Sequence, residues 1–244
     1  MKQLKNFYRL IQGDCLKVLP TLKNESIDAI ITDPPYVLRS TTTKNLLGIH
    51  GEYITEKEWN DFTTKYIKEF YRVLKPNGAL YIFTAEYRLF RLYNLINELK
   101  LFDYQRLLIW SAKDKPIITR CNNWRFITEL IIFFSKDKPN WYDTNIHWNV
   151  LEYNAVFKGR KEHMGHPTQK PIDLIKELLT VSTEENNIVL DAFLGSGSTM
   201  VACQDFGRSC IGIEVVPKYC DLTKKRCFGR QFLDREVEYK FEVA

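Results

Sequence analysis

Ile188-Val189-Leu190-Asp191-Ala192-Phe193-Leu194-Gly195-Ser196-Gly197-Ser198-Thr199 passes from a short apolar run, through two closely spaced glycines, into a stretch with helical patterning. An apolar run of strand length ending in an acidic residue reads as a buried parallel strand. The glycines then make the turn at its carboxyl end, where a backbone without side chains lets a ligand approach closely. Ser198 and Thr199 are placed to cap the helix that follows. Next come a strand over 209–213, closing on Glu214, and a helix over 217–227. Met200 stands where the dinucleotide fingerprint has its third glycine, a position at which helix-on-strand packing leaves no room for a side chain. A pyrophosphate ligand is therefore disfavoured and an adenosine-type cofactor expected. Glu214 is placed to bind a ribose diol, a role that does not choose among such cofactors.

A second buried run, over 27–32, ends in Asp33-Pro34-Pro35-Tyr36. Ligands of open α/β sheets sit outside the carboxyl ends of the strands, where this tetrapeptide falls. A nucleobase amine is a poor nucleophile, because its lone pair is delocalised into the ring. A carboxylate at Asp33 and the carbonyl of Pro34 can each accept one N–H, holding the lone pair towards an electrophile. The two prolines restrict the backbone and remove competing donors, and Tyr36 offers a face for an extruded base. The plain alternative is a strand-ending turn. With the glycine segment, the tetrapeptide points to methyl transfer onto an exocyclic amine of a nucleobase.

Short apolar runs alternate with helical patterns along the chain, the signature of a mostly parallel sheet covered on both faces. Strands are expected over 7–12, 27–32, 79–84, 105–110, 128–135, 187–190 and 209–213. Helices are expected from Cys15 and over 56–74, 86–99, 172–182, 198–206 and 217–227. Lys75-Pro76-Asn77-Gly78 should stop the second helix. Periodicity fails over 138–165, where Trp141, Tyr142, Trp148, Tyr153 and Phe157 crowd among polar and basic residues.

The 244 residues are enough for one sizeable α/β domain. A net charge of +5 is compatible with nucleic acid without requiring it. Six cysteines contain no CxxC pair, and the run Cys203, Cys210, Cys220, Cys227 straddles helix, strand and helix, so buried free thiols are expected rather than a metal. No apolar run approaches the ~18 residues needed to span a bilayer, and Met1-Lys-Gln-Leu-Lys-Asn lacks the apolar core of a signal peptide. A cytoplasmic protein is expected, with no membrane association.

Asp-Pro-Pro-Tyr near the amino end, then His166-Pro-Thr-Gln-Lys-Pro171, Asp191-x-Phe-x-Gly-x-Gly197 and Gly212-Ile-Glu214 resemble, in that order, the β-class amino DNA methyltransferases. The resemblance spans almost the whole chain. It implies the S-adenosylmethionine-dependent methyltransferase fold, a mixed seven-stranded sheet with the last strand antiparallel, helices on both faces, and the catalytic half before the cofactor half. The strand ending near Asp14 would lie beside the one ending at Glu214. Position by position it implies that Asp33, Pro34, Pro35 and Tyr36 are catalytic. S-adenosyl-L-methionine would be bound by Asp191, Phe193, Gly195, Ser196, Gly197, Ser198, Thr199 and Glu214. Asp14 would meet its adenine, or simply cap a helix, and Thr168 and Lys170 its methionine end. Asp rather than Ser at position 33 is the form usual in adenine-N6 members.

The resemblance further implies double-stranded DNA as substrate, with a homodimer and a cognate restriction endonuclease as partners such enzymes can have. Two segments are candidates for reading sequence. One is a substrate loop over 37–53 with Arg39 and Lys44; the other is a target-recognition segment over 138–165 with Lys158, Arg160 and Lys161. The alternatives are cytosine-N4 methylation, an RNA or protein substrate, a non-catalytic DNA-binding module and, least favoured, a nicotinamide oxidoreductase.

Overall fold

Residue pairs Ala29↔Val189 and Ile30↔Leu190 join two distant strands in parallel at the middle of one sheet. The computed structural model describes residues 5–35, 55–115, 124, 127–232 and 235–244. The strands are β1 (Lys5–Gln12), β2 (Ile27–Thr32), β3 (Leu74–Thr84), β4 (Asp103–Ser111), β5 (Thr128–Ser135), β6 (Val150–Glu152), β7 (Ile188–Asp191), β8 (Ser209–Glu214) and β9 (Glu236–Val243). Their spatial order is β6-β4-β5-β3-β2-β7-β8-β1-β9. Pairing is parallel throughout except for β5, which lies antiparallel between β3 and β4. A single antiparallel strand is thus present as expected, but it is β5, inside the sheet, rather than the last strand of the chain order.

Two edge strands extend the expected seven among the described residues. β6 is three residues long and pairs with β4 inside the aperiodic segment. β9 pairs with β1 over its whole length, from Lys5↔Glu236 to Gln12↔Val243.

The helices are α1 (Cys15–Val18), α2 (Glu56–Val73), α3 (Leu89–Leu99), α4 (Ile172–Ser182), α5 (Ser198–Asp205) and α6 (Pro217–Cys227). Alternate strand residues sort them onto two faces. Ala29, Ile31, Tyr81 and Phe83 pack with Leu174 and Leu178 of α4, Met200 and Cys203 of α5, and Cys220 of α6. Ile30, Leu80 and Ile82 pack with Val18 of α1, Ile67 and Phe70 of α2, and Leu92 and Ile96 of α3. Both faces are therefore buried, which is why β2 reads as an almost continuous apolar run. Cys15, Cys203, Cys210, Cys220 and Cys227 are free and buried within these layers. Among the described residues, no helix is long and apolar enough to cross a membrane.

Lys75-Pro76-Asn77-Gly78 does end α2, but β3 begins at once at Leu74 and carries the four residues as a bulge. Ile27 pairs with Leu74 and Ala29 already with Ala79. Asn77 takes a left-handed conformation there, with φ 65°. At the other end of α2, Thr55 and Glu58 form a capping box. Glu58 N donates to Thr55 Oγ1 at 3.2 Å and Thr55 N to Glu58 Oε2 at 2.6 Å. Thr55→Ala should cost about 1 kcal/mol of stability, read from the midpoint of denaturant unfolding at unchanged slope.

Candidate active site

β2 and β7 are parallel neighbours, so Asp33-Pro34-Pro35 and the glycine turn leave the sheet at the same edge. This is also where the strand order reverses: the chain proceeds from β2 outward to β3 on one side and from β7 outward to β8 on the other. Such a switch point opens a crevice between the two connections. A crevice with about 380 Å³ of empty space, open to solvent, lies there. Asp33 and Phe83 line it from one half, and Asp191, Phe193, Gly195 and Ser196 from the other.

The glycine turn is held from below by carboxylates. Asp191 is buried at the end of β7 and accepts from Thr199 Oγ1 at 2.7 Å, Thr32 Oγ1 at 2.9 Å and Phe193 N at 3.1 Å. Burial lifts its pKa to about 6; these three donors oppose the rise, and nearby Asp33 adds to it. Glu214 accepts from Gly195 N at 2.8 Å and, on its other oxygen, from Val216 N at 2.7 Å. Burial raises its pKa against those amide bonds. Each carboxylate oxygen has a second lone pair, so the capacity to accept from a ribose diol remains.

Gly195 has φ 55°, and a Cβ there would lie 3.0 Å from His166 Nε2. Left-handed backbone and a close imidazole together require glycine. The capping expectation needs correction. Gly197, at φ 82°, is the N-cap of α5, and no side chain caps that helix. The hydroxyl of Thr199 is committed to Asp191, and that of Ser198 donates to the Lys170 carbonyl at 2.8 Å.

On the opposite wall, Lys170 Nζ donates to Asp33 Oδ2 at 2.5 Å and lies 3.1 Å from Glu129 Oε2. The same ammonium sits 5.1 Å from the centre of the Phe83 ring. Burial disfavours the charged lysine, but Asp33 and Glu129 outweigh it and push its pKa above the usual lysine value. For Glu129, burial is likewise outweighed, here by Lys170 and Lys115, and its pKa falls. Lys170 and Thr168 both line the crevice, as their place near a cofactor would require, yet the Lys170 ammonium is engaged by the two carboxylates. His166 also lines it. Burial first, then the Lys170 ammonium and the neighbouring His163, lower its pKa to about 4, so the ring is neutral near pH 7. Its Nδ1 accepts from Thr168 N at 3.3 Å, and its ring packs edge-on against Tyr219 at 4.4 Å.

Asp14 lies outside the crevice lining. It is exposed and caps α1, accepting from Leu16 N at 2.9 Å, although the predicted adjacency holds: Gln12 of β1 pairs with Glu214 of β8. Arg160 is paired with Asp114 and stacks over Phe157, whereas Lys158 and Lys161 are exposed. Tyr36, Arg39, Lys44 and the loop over 37–53 lie outside the described residues. Glu129 and Lys115 were not legible as site residues. Neither belongs to a motif, and only the antiparallel insertion of β5 brings Glu129 to Lys170.

The crevice fits a nucleoside cofactor with an extended tail, offering glycine backbone for close approach, Glu214 beneath the turn and Phe193 as an apolar wall. The DNA methylase family of the N6/N4 type matches residues 27–225. The chain is 30% identical over 236 residues to the type II methyltransferase M.HpaI of Haemophilus parainfluenzae, covering 89% of this chain and 73% of that protein. It is 27% identical over 244 residues to the type II methyltransferase M2.MboI of Moraxella bovis, covering 91% and 88%. The structure of the M1.HpyAVI–SAM complex aligns with a TM-score of 0.71 and 25% identity over 90% of this chain and 98% of that one. The cytosine-N4-specific PvuII DNA methyltransferase aligns with a TM-score of 0.75 at 18% identity, over 97% and 99%, a likeness of fold alone.

Because the Asp191 pKa is raised on folding, its ionisation costs stability that is absent below about pH 4 and fully felt above about pH 6. In thermal or denaturant unfolding, Asp191→Asn should therefore gain on the unmodified protein by up to about 3 kcal/mol between pH 4 and pH 7. A stability difference that does not vary with pH would contradict the assigned burial cost.

Proposed function

The chain belongs to the amino-DNA methyltransferase family, and we propose that it methylates the N6 amine of adenine in double-stranded DNA with S-adenosylmethionine as donor. The observation that carries this reading is the shared crevice, with Asp33 on one wall and the Gly195 turn on the other. Asp at position 33, where cytosine-N4 members more often carry Ser, favours adenine. The M1.HpyAVI structure with SAM supports the cofactor. Glu214 would take the ribose diol, the Gly195–Gly197 backbone and Phe193 the nucleoside, and Thr168 the tail. Type II relatives support a place as the modification arm of a restriction–modification pair, with a cognate endonuclease as partner.

When bound, S-adenosylmethionine supplies a methyl group activated by its sulfonium centre, so no covalent enzyme intermediate is needed. The target base leaves the duplex, at a cost of roughly a few kcal/mol, and stacks on Tyr36. Asp33 and the Pro34 carbonyl accept the two amine hydrogens, turning the lone pair across the crevice. As the N–C bond forms and the methyl–sulfur bond breaks, leaving a neutral thioether, the Asp33 carboxylate would stabilise the positive, tetrahedral nitrogen, which then loses one of its protons by way of that carboxylate to solvent. Pro34 and Pro35 bring no N–H that would compete for these acceptors. The segment over 138–165 reads the flanking sequence, with exposed Lys158 and Lys161 on phosphates.

Asp33→Ala should lower kcat by about 10³-fold while leaving cofactor affinity by calorimetry within about threefold. Normal turnover by this variant would end the catalytic assignment. Digestion of methylated DNA to nucleosides should yield N6-methyladenosine as its deoxynucleoside; N4-methylcytosine instead would transfer the reading to the cytosine branch. Replacing Lys158 and Lys161 together by Ala should reduce the slope of log K against log salt by about 2, and an unaltered slope would remove them from the DNA interface.

A further inference from the structure

We propose that Lys170 and Glu129 form a positioning pair for Asp33, Lys170 holding its carboxylate and Glu129 holding Lys170 from the rigid sheet. The inference rests on the reading of Asp33 as the group that receives the target amine. It gives Lys170 a task different from contacting the methionine end of the cofactor, and it gives Glu129 a task for the first time.

The geometry has three parts. The Lys170 backbone is pinned where α4 begins. Its carbonyl accepts from Ser198, and the preceding Gln169 is bonded on both sides, to Met164 N and the Glu162 carbonyl. Its side chain is buried, and the ammonium's surroundings are filled by Asp33, Glu129 and the Phe83 face. Three donors on one nitrogen thus meet two carboxylates and one ring, leaving little capacity for a further anion. Glu129 itself stands on β5 opposite Trp110 of β4, one residue before the ladder to β3 begins at Leu130, and its second oxygen meets Lys115 at 3.2 Å. A flexible lysine is thereby fixed at both ends.

Charge explains why a second carboxylate is needed. Lys170 alone would neutralise Asp33 and oppose the positive charge that develops on the attacking amine. Asp33, Lys170 and Glu129 together carry a net −1, so the crevice still favours a cationic transition state while the lysine sets the carboxylate's orientation. Lys115 also pairs with Glu129, but it is one-third exposed, so solvent screens its charge more than that of the buried Lys170.

The test compares Glu129→Gln, Lys170→Met and Asp33→Ala in the full-length protein. It measures kcat at saturating DNA and S-adenosylmethionine, cofactor Kd by calorimetry, and Tm. Glu129→Gln should lower kcat by about 10-fold and Lys170→Met by about 100-fold, each with cofactor Kd nearly unchanged. Glu129→Gln should also retain its Tm within a few degrees, which separates positioning from scaffolding. Wild-type kcat in Glu129→Gln overturns the proposal. So does a Lys170→Met protein that weakens cofactor binding while keeping kcat at saturation, because that returns the lysine to the cofactor. If Lys170→Met does not fold, Glu129→Gln decides alone. Activity retained in Asp33→Ala, by contrast, defeats the functional reading itself, whereas an inactive Asp33→Ala with a normal Glu129→Gln defeats only the pair.

Discussion

The parallel contact between β2 and β7 is the junction on which the site depends. Each strand is short and buried on both faces; β7 ends in Asp191, and Asp33 directly follows Thr32, the last residue of β2, at the same edge of the sheet. Neither half contains a complete site. The first contributes acceptors and an aromatic wall; the second contributes open backbone and buried carboxylates. Hydrogen bonds between two strands far apart in sequence set the distance across which any reaction in the crevice must occur. Because Ile31 and Phe83 face one layer while Ile30 and Ile82 face the other, a one-residue slip would invert every side chain at that junction.

The crevice concentrates ionisable groups in a small volume, and the chain stabilises them in different ways. Glu214 is balanced by backbone amides, Asp191 by hydroxyls and one amide, and Asp33 by a lysine. Amides and hydroxyls leave a carboxylate's negative charge in place, whereas an ammonium cancels it. Of these three carboxylates, Asp33 meets the Lys170 ammonium, and that ammonium also meets a second acid, Glu129.

Much of this was legible in the sequence, and the failures have physical causes. β2, α4 and α6 fall on their expected bounds because each is bracketed by unambiguous signals: Asp-Pro after β2, Pro171 before α4, Pro217 opening α6. Lys75–Gly78 reads as a stop, and the strand absorbs it because a bulge tolerates Pro76 and a left-handed Asn77. β6 is too short to show a period. β9 did carry a signal, since Val237, Tyr239, Phe241 and Val243 alternate with Glu236, Glu238, Lys240 and Glu242, but it follows the recognised motifs and borrows its partner from the first strand. Ser198 and Thr199 have the chemistry of caps, yet the left-handed Gly197 takes that position and frees their hydroxyls for Lys170 and Asp191. Which carboxylates a lysine meets depends on contacts between remote strands, so local pattern could not pair Lys170 with Glu129.

The place of β1 has a consequence for how the molecule comes to be assembled. It precedes the other strands in sequence, yet its sheet neighbours are β8 and β9, which follow all the others. During synthesis β1 must wait for β8 and β9 with both edges open, and β2 must wait for β7 with one edge exposed. Pairings of such high contact order are slow and prone to wrong partners. Lys5 and Arg9, which end in ion pairs with Glu238 and Glu242, place charge on that waiting strand, a feature that discourages edge-to-edge association before its proper neighbours emerge.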